Sequence, residues 1–240
     1  MLYRCIKRIF DIVSALLALI VTSPLWLVIL IGIKASSRGP VFYRSERAGK
    51  DKKPFTLFKF RSMHVYQPDA EGKTREGGFI AKASRIFPFG RLLRKSKLDE
   101  LPQLLNILAG QMSVIGPRPL TIAGAQKHYT GEYACVSDVR PGMACLDSLF
   151  DYAHGELFVS GEEEYRQKIL PVRTELARMY VEKQSVGLDL YCIFRTVRLM
   201  FLIFILKRKT FPYTGYEAEA EKRAFGEAAV KEEAEIRHGF

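Results

Sequence analysis

The sequence predicts an α+β protein that is mostly helical and attached to a membrane, and three patterns lead to this prediction. An apolar run covers residues 12–33, two short strand patterns with a polar turn occupy residues 41–63, and helical patterns recur through most of the remainder. A chain of 240 residues is long enough for one globular domain with appendages. We expect a membrane segment at residues 1–35, a domain at 36–212 and a charged tail at 213–240.

The apolar segment is interrupted at its centre and basic on both sides. About 22 residues rising 1.5 Å each cover roughly 33 Å, which is enough to cross a bilayer and too long for the apolar part of a signal peptide. Ser23-Pro24 lies near the middle, where proline removes a hydrogen bond and kinks a helix. The basic flanks are Arg4, Lys7 and Arg8 before the run and Lys34 and Arg38 after it. This weak charge asymmetry leaves open both a spanning helix and one that bends and leaves on the same side.

The formal net charge of +11 indicates an anionic partner, such as nucleic acid, anionic lipid or a phosphorylated substrate. After Pro212 seven Glu oppose four Lys or Arg, so the preceding part carries +14. The four cysteines form no CxxC pair and have no histidine at metal-ligand spacing. They are predicted to be reduced, structural thiols.

Two strands are predicted at Val41–Tyr43 and Phe55–Met63, forming a small β-hairpin. The period of two places Phe55, Leu57, Lys59 and Arg61 on one face of the second strand. Lys59 and Arg61 are either solvated charges or contacts for a phosphate. The following polar, glycine-rich residues 64–78 are predicted to be a loop, either near an active site or at the surface.

A basic segment covers residues 82–97, with apolar residues between the charges. This pattern favours an amphipathic element at an anionic membrane surface, with arginine stems extending to the headgroups. Nucleic-acid binding uses similar residues, but no nucleic-acid fold signature accompanies them.

The stretch from Arg94 to Pro119 contains the adjacent carboxylates Asp99 and Glu100. Leucines at 101, 104, 105 and 108 follow at helical spacing and predict a helix with an apolar stripe facing a core. The carboxylates stand at the start of that helix, where they either cap it or face a phosphate or a metal–phosphate complex. A short strand from Met112 to Ile115 and a rigid turn holding Arg118 complete the stretch.

Further along, Asp147, Asp151 and His154 are predicted to lie in a polar loop rather than in a metal cluster. Residues 162–181 read as a helix of mixed charge. Residues 191–206 are apolar but contain Arg195 and Arg198, which predicts an interfacial helix or a core helix with arginines at its edge. The tail after Pro212 is predicted to be helical at most and to have no part in catalysis.

The stretch GRLLRKSKLDELPQLLNILAGQMSVIGPRP at residues 90–119 resembles the bacterial sugar transferase family, the monotopic phosphoglycosyl transferases. These enzymes move a phosphosugar from a nucleotide-activated sugar to polyprenyl phosphate. The resemblance extends from the first residues to about Leu206, and FKFRSM at residues 58–63 matches a second family motif. Lys7-Arg8 and Asp11 match the family's N-terminal motif. The resemblance therefore implies a re-entrant membrane helix hairpin that bends at Ser23 and Pro24, followed by a cytosolic domain with amphipathic interfacial helices.

Transfer of a phosphosugar needs a nucleophile and positive charge to offset an anion attacking an anion. The resemblance implies Asp99 as the nucleophile, which forms a covalent phosphosugar intermediate, and Glu100 as a ligand of Mg²⁺. Candidate phosphate-binding residues are Lys59, Arg61, Arg94, Arg118 and Arg140, the last in a Val-Arg-Pro-Gly turn that matches the family. Met143-Ala144-Cys145 replaces the usual family residues Ile-Thr-Gly after that turn. Glycoside hydrolysis is disfavoured because it needs two carboxyl groups on opposite sides of a bond, roughly 5 Å or more apart. Adjacent residues such as Asp99 and Glu100 rarely reach that arrangement.

The resemblance implies a UDP-sugar and undecaprenyl or another polyprenyl phosphate as substrates, with UMP released, at the cytoplasmic face of a bacterial inner membrane. Anionic lipids of the inner leaflet are expected partners, downstream glycosyltransferases are possible ones, and nucleic acid is not expected. The reaction would begin assembly of a capsule, exopolysaccharide, O-antigen or glycoprotein glycan. A basic membrane-surface module without catalysis, or a spanning scaffold protein, would explain the charge and the apolar segment but does not require the carboxylate pair.

Overall fold

Most of the described chain is helical, as predicted, and its strands form two small sheets. The computed structural model describes residues 2–65, 85–155, 162–208 and 210–226. The helices are α1 (Leu2–Ser36), α2 (Pro88–Lys95), α3 (Gln103–Leu108), α4 (Ile122–His128), α5 (Leu146–His154), α6 (Glu162–Glu164), α7 (Leu170–Glu182), α8 (Val186–Phe204) and α9 (Gly215–Phe225). The strands are β1 (Phe42–Ala48), β2 (Pro54–Phe60), β3 (Ser113–Ile115) and β4 (Gly142–Ala144). Short 3₁₀ turns occur at Lys50–Lys52, Leu98–Glu100 and Gly131–Asp138, and a π-helical turn at Tyr165–Ile169 joins α6 to α7.

Helix α1 is the one helix in the described residues that is long and apolar enough to cross a membrane. It contains Pro24, and the helical assignment runs through Ser23-Pro24 without interruption, so the hairpin form of this segment stays a prediction. The side of α1 away from the domain exposes large apolar side chains along its length. These are Leu2, Ile6, Ile9, Phe10, Val13, Leu16, Leu17, Ile20, Val21, Leu27, Val28 and Ile31.

The other side of α1 packs against the domain in both halves of the helix. Ala15 is fully buried in a cluster with Leu57, Ile107 and Met112. Ile29 and Ile33 are buried in a second cluster with Phe60, Phe87 and Leu93. Burial of apolar surface is the main source of stability, so α1 is part of the core of the domain as well as an apolar surface helix.

Polar contacts fix the N-terminal half of α1. The buried Asp11 carboxylate accepts hydrogen bonds from Ser113 Oγ at 2.9 Å and from the backbone N–H of Val114 at 2.8 Å. The Arg8 guanidinium donates to the carbonyl oxygens of Ile107 and Leu108 at 2.7 and 3.0 Å, where the last turn of α3 leaves carbonyl groups without intrahelical partners. Strand β3 and helix α3 are thereby joined to α1.

Strands β1 and β2 form the predicted antiparallel hairpin, with Tyr43 opposite Lys59 and Arg47 opposite Phe55. Strand β1 is longer than predicted, and β2 ends at Phe60. Asn106 of α3 holds β2 in place: its amide accepts from the N–H of Phe58 at 3.1 Å and donates to the carbonyl of Thr56 at 2.7 Å.

Strands β3 and β4 pair in parallel and bring two turns together. Gly116 and Gly142 pack backbone to backbone, so a Cβ atom on Gly142 would lie 2.2 Å from the Gly116 nitrogen. The N–H of Gly142 also donates to the carbonyl of Pro117 at 2.9 Å. No side chain larger than hydrogen fits at this crossing, which fixes the position of the turn that carries Arg118.

The largest cluster of buried apolar residues lies among α5, α7, α8 and α9, with Phe150, Leu176 and Tyr180 at its centre. Residues 215–225 of the predicted tail belong to this unit, because Ala220 is fully buried and α9 packs against α7. The rest of the tail, residues 227–240, lies outside the described residues, as does most of the predicted loop at 64–78 and the start of the basic segment at 82–84. All four cysteines are free, and Cys145 and Cys192 are buried.

Two predictions about side-chain positions are wrong. Leu105 was expected on the buried stripe of α3 but is 41% exposed, because Leu104, Ile107 and the polar Asn106 take the buried side. Asp147, Asp151 and His154 were expected in a polar loop but lie on α5, and the carboxylates of Asp147 and Asp151 are buried near cations. An apolar-stripe search does not detect such a helix, because its buried face mixes apolar and acidic side chains.

Candidate active site

Asp99 and Glu100 lie in the 3₁₀ turn that precedes α3, and both are buried. The turn follows Lys97, whose backbone is left-handed with φ of 58°. Lys59 of β2 forms an ion pair with Glu100, with Nζ 2.7 Å from Oε1. The pair that the sequence placed at a helix start is therefore brought against the strand face that carries Lys59.

The two carboxylates have different electrostatic surroundings. Burial opposes ionisation of Glu100, but Lys59, Arg118 and Lys97 together lower its pKa to about 2. Burial raises the pKa of Asp99, the charge of Glu100 raises it further, and Lys59, Lys97 and Arg94 oppose this rise. Glu100 is thus held as a permanent anion, whereas Asp99 is a carboxylate whose ionised form is less stabilised and more basic.

Asp99 also has an unsatisfied oxygen. Its Oδ1 atom is buried and has no hydrogen-bond partner among the described residues. Such groups are rare in folded proteins, because an unpaired buried acceptor costs about 1–3 kcal/mol. An unpaired, basic carboxylate oxygen has the properties that a nucleophile or a metal ligand requires.

Beside Glu100 an open cleft of about 320 Å³ is lined by the cations Arg47, Lys59 and Arg118, together with Gln103 and Met143. Burial lowers the pKa of Arg47, and the nearby charge of Arg118 adds to the effect. Cations that crowd around one cleft repel each other, so the cleft favours an anionic ligand with several charges.

Arg118 is held by its backbone and surrounded by groups that stabilise its charge. Its N–H donates to Asp147 Oδ2 at 3.0 Å. Burial opposes its charge, but the nearby Tyr152, Glu100 and Asp151 together raise its pKa. The Tyr152 ring in addition lies under Lys97, with Nζ 4.0 Å from the ring centroid. Tyr152 therefore connects two of the cations that surround the carboxylates.

The structure brings some of the predicted phosphate-binding residues to this site and not others. Lys59 and Arg118 line the cleft, and Arg94 is exposed but close enough to lower the pKa of Asp99. Arg61 does not line the cleft: its guanidinium donates to the carbonyls of Pro40 and Ser37 and to Ser37 Oγ. Arg140 does not line it either, and its Nε donates to the carbonyl of Gly110 at 2.7 Å.

Four residues of the site were not predicted from the sequence: Arg47, Lys97, Gln103 and Tyr152. Arg47 could have been found, because the hairpin register places it on the same face as Lys59. Tyr152 could not, because it reaches the site only through the folding of α5 onto the Arg118 turn. Met143 of the unusual Met143-Ala144-Cys145 segment also lines the cleft, while Cys145 is buried in the core.

The residues present fit a divalent cation that is held jointly with a substrate. Within the part of the chain that the structure describes, no group of three or more His, Cys, Asp or Glu side chains could hold a metal by itself. Asp99 Oδ1 and the ionised Glu100 nevertheless provide hard oxygen donors. Mg²⁺ typically uses one or two carboxylates and fills its other positions with water and substrate phosphates.

Comparison with known proteins agrees with this geometry. The family described as bacterial sugar transferase matches residues 2–202. A UDP-glucose:undecaprenyl-phosphate glucose-1-phosphate transferase of Klebsiella pneumoniae is 37% identical over 80% of this chain and 39% of its own length. A UDP-N-acetylgalactosamine-undecaprenyl-phosphate N-acetylgalactosaminephosphotransferase of Aeromonas hydrophila is 33% identical over 85% of this chain and 45% of its own length. The exopolysaccharide production protein PSS of Rhizobium leguminosarum bv. phaseoli is 36% identical over 80% of this chain and 93% of its own length.

The chain spans less than half the length of the first two of these relatives and most of the third. The matched region nevertheless includes α1, the hairpin, the carboxylate pair and the Arg118 turn. The chain therefore belongs to the bacterial sugar transferase family.

Proposed function

We propose that this protein transfers a sugar phosphate from a UDP-sugar to undecaprenyl or another polyprenyl phosphate and releases UMP. The observation that supports this most directly is the buried carboxylate pair beside a cleft with three cations. A diphosphate carries the multiple negative charges that such a cleft favours. Relatives named for this reaction share the matched region. Because those names include both glucose and N-acetylgalactosamine, the likeness does not determine the sugar.

In the first half-reaction, an Asp99 oxygen attacks the phosphorus that bears the sugar. The bond from that phosphorus to the bridging oxygen breaks, UMP leaves with the electron pair, and a phosphosugar remains on Asp99 as an acyl phosphate. In the second, an oxygen of the polyprenyl phosphate attacks the same phosphorus. A lipid-linked diphosphate sugar forms, and the Asp99 carboxylate is regenerated.

The other residues of the site carry out positioning and charge stabilisation. Arg118 has a planar fork suited to two phosphate oxygens, and its backbone is held by Asp147. Lys59 holds Glu100 ionised and lies on the wall of the cleft. Asp99 and Glu100 would hold Mg²⁺ together with the diphosphate, and the ion would supply further neutralisation of phosphate charge.

The covalent step is tested by intact-mass analysis of the purified protein after incubation with a UDP-sugar and Mg²⁺. We expect UMP release without any lipid, a mass increase of one phosphosugar and ping-pong kinetics. Asp99→Asn should abolish the adduct and turnover, whereas Asp51→Asn, the same change at an exposed turn residue, should affect neither. Kinetics that require both substrates at once, with no adduct under any trapping condition, would contradict the covalent mechanism. Absence of UMP release from every UDP-sugar would instead favour a membrane-binding module without catalysis.

We also propose that α1 enters the bilayer and leaves on the same side, so that the domain lies on the cytoplasmic face of the inner membrane. Support comes from the packing of both halves of α1, through Ala15 and through Ile29 and Ile33, against one domain. A straight spanning helix would carry one of these halves away from the domain. The apolar outer face of α1 would then contact lipid, and the basic charge of the domain would favour anionic headgroups.

Thiol labelling tests this topology. One variant keeps the exposed Cys5, at the N-terminal end of α1, as its single cysteine. A second variant lacks all native cysteines and carries Arg38→Cys just after the C-terminal end of α1. Both should resist an impermeant thiol reagent in intact cells and react after the membrane is opened. Labelling of only one end in intact cells would demonstrate a spanning helix.

The lipid-linked product would be a substrate for glycosyltransferases that extend capsule, exopolysaccharide or related glycans.

A further inference from the structure

A second basic cavity lies at the N-terminal end of α1, and the proposed reaction does not use it. It is a partly open cavity, and its empty space, counted together with the solvent at its mouth, is about 520 Å³. Its walls come from α1, the β1–β2 turn, β3, the turn that contains Arg140 and the end of α7. Neither Asp99 nor Glu100 lines it.

The cavity collects cations in excess of anions. Arg4, Lys7, Arg8, Lys50 and Arg140 line it, against the acidic residues Asp11 and Asp138. Lys7 is paired with Asp189 at 2.8 Å, so four cations remain against the two carboxylates. The local excess of positive charge disfavours an empty cavity and favours a bound anion.

The cations differ in how they are held. The guanidinium groups of Arg8 and Arg140 are each anchored through part of their donor set to carbonyl oxygens at the end of α3, which leaves other N–H donors for a ligand. The side chains of Arg4 and Lys50 are exposed and make no hydrogen bond or ion pair with any described residue. Two anchored arginines with two free cations across a cavity form a suitable receptor for a phosphate group.

The surroundings of the cavity indicate that the phosphate belongs to a lipid. Asp189 at the start of α8 accepts hydrogen bonds from Tyr3 at 2.9 Å and from Lys7 at 2.8 Å, which joins the N-termini of α1 and α8 beside the cavity. Both helices expose apolar side chains just beyond this junction, Ile6 and Phe10 on α1 and Leu190 and Phe194 on α8. A phosphodiester in the cavity would therefore have apolar surface beside it for its acyl chains.

We infer that this cavity is a binding site for the phosphodiester headgroup of an anionic phospholipid, separate from the catalytic cleft. The inference rests on the membrane association in the proposed function, but not on the covalent chemistry of Asp99. A bound headgroup would hold the base of α1 at the depth of the lipid phosphates, because the same residues line the cavity and anchor the helix. A free phosphate ion shares the recognised chemistry but would make no use of the adjacent apolar surface.

The test uses the full-length protein with Asp99→Asn, so that turnover has no influence on the result. Native mass spectrometry from a neutral detergent measures retention of added phosphatidylglycerol and phosphatidylcholine. Lys50→Gln removes a cation that lines the cavity, and Lys53→Gln removes one from the same turn that does not. We expect phosphatidylglycerol to be retained in preference to phosphatidylcholine, and Lys50→Gln to weaken its retention about fivefold. Lys53→Gln should leave retention unchanged.

Two outcomes would overturn the inference. Equal losses for Lys50→Gln and Lys53→Gln would mean that only the general positive charge of the protein attracts lipid. Binding of inorganic phosphate that depends on Lys50, together with retention of phosphatidylglycerol that does not, would assign the cavity to a soluble anion instead. Neither position lies on α1, so neither variant alters the insertion of that helix.

Discussion

Replacing Lys59 with methionine should destabilise the protein, because it leaves the Glu100 carboxylate buried without its closest partner. The side chains of Lys59 and Glu100 are only 20% and 10% exposed, so solvent screens the pair weakly. The surrounding cations lower the pKa of Glu100 from 4.5 to about 2, which corresponds to about 3 kcal/mol of stabilisation of the ionised form. Lys59 makes the largest of these favourable contributions. Removing one partner of a buried ion pair typically costs about 3–5 kcal/mol, and since Arg118 and Lys97 remain, we expect Lys59→Met to lower the free energy of unfolding by about 3 kcal/mol at neutral pH.

The loss should depend on pH with a definite sign. A carboxyl group whose pKa is depressed in the folded state adds stability above its unfolded pKa, and this is lost as the pH falls through the folded pKa. For Glu100 the window runs from 4.5 down to about 2. The difference between the wild type and Lys59→Met should therefore be greatest near pH 7 and should narrow once the pH falls below about 4.5.

The assay is thermal unfolding in detergent, in which about 3 kcal/mol corresponds to a fall in Tm of roughly 6–12 °C for a chain of this size. The double variant Lys59→Met/Glu100→Gln removes the unpaired charge and should recover most of the lost stability, yet remain inactive in UMP release. Refutation would take the form of an unchanged Tm for Lys59→Met, or of a double variant as unstable as the single one. Either result would mean that Lys59 does not stabilise the buried carboxylate.

Three further predictions concern the site and its support. Tyr152→Phe removes the hydroxyl near Arg118 but keeps the ring under Lys97, so kcat/KM for UMP release should fall about tenfold, and Tyr152→Leu, which also removes the ring, should lower kcat/KM further. Lys97→Met removes a charge that opposes the raised pKa of Asp99, so the pH below which UMP release declines should move upward in a pH–rate profile; an unchanged acid limb would contradict this. Asn106→Leu should lower the free energy of unfolding by about 3 kcal/mol, measured by denaturant titration, because buried backbone groups of β2 lose their partners.

The sequence predicted the parts of the site that depend on local pattern. The carboxylate pair stands in a long and specific motif, and the alternation along β2 placed Lys59 on a defined strand face. The β-hairpin and most of the long helices also follow from periodicity, which reports the burial of one face. Assignment to the family came from the same motif and is confirmed by the match over residues 2–202.

The remainder depends on contacts between distant segments, which periodicity does not report. Arg61 and Lys59 lie two residues apart, yet only Lys59 lines the cleft, because the strand ends at Phe60 and Arg61 turns towards the end of α1. Arg140 shares a basic, turn-like context with Arg118 but faces a different cavity. The Asp147 carboxylate accepts a hydrogen bond from the backbone N–H of Arg118 only because α5 folds behind the turn that carries Arg118.

The packing of α1 has a consequence for attempts to make a soluble version of this protein. Its buried residues Ala15, Ile29 and Ile33 fill positions in two clusters that also contain Phe60 and Met112. A fragment that begins after Ser36 would expose this surface to water and also lose the contacts of Asp11 and Arg8 with β3 and α3. Such a fragment should aggregate, and fusion to an unrelated membrane anchor should not rescue it. For this protein the membrane helix is a folding partner that must be supplied in its own sequence.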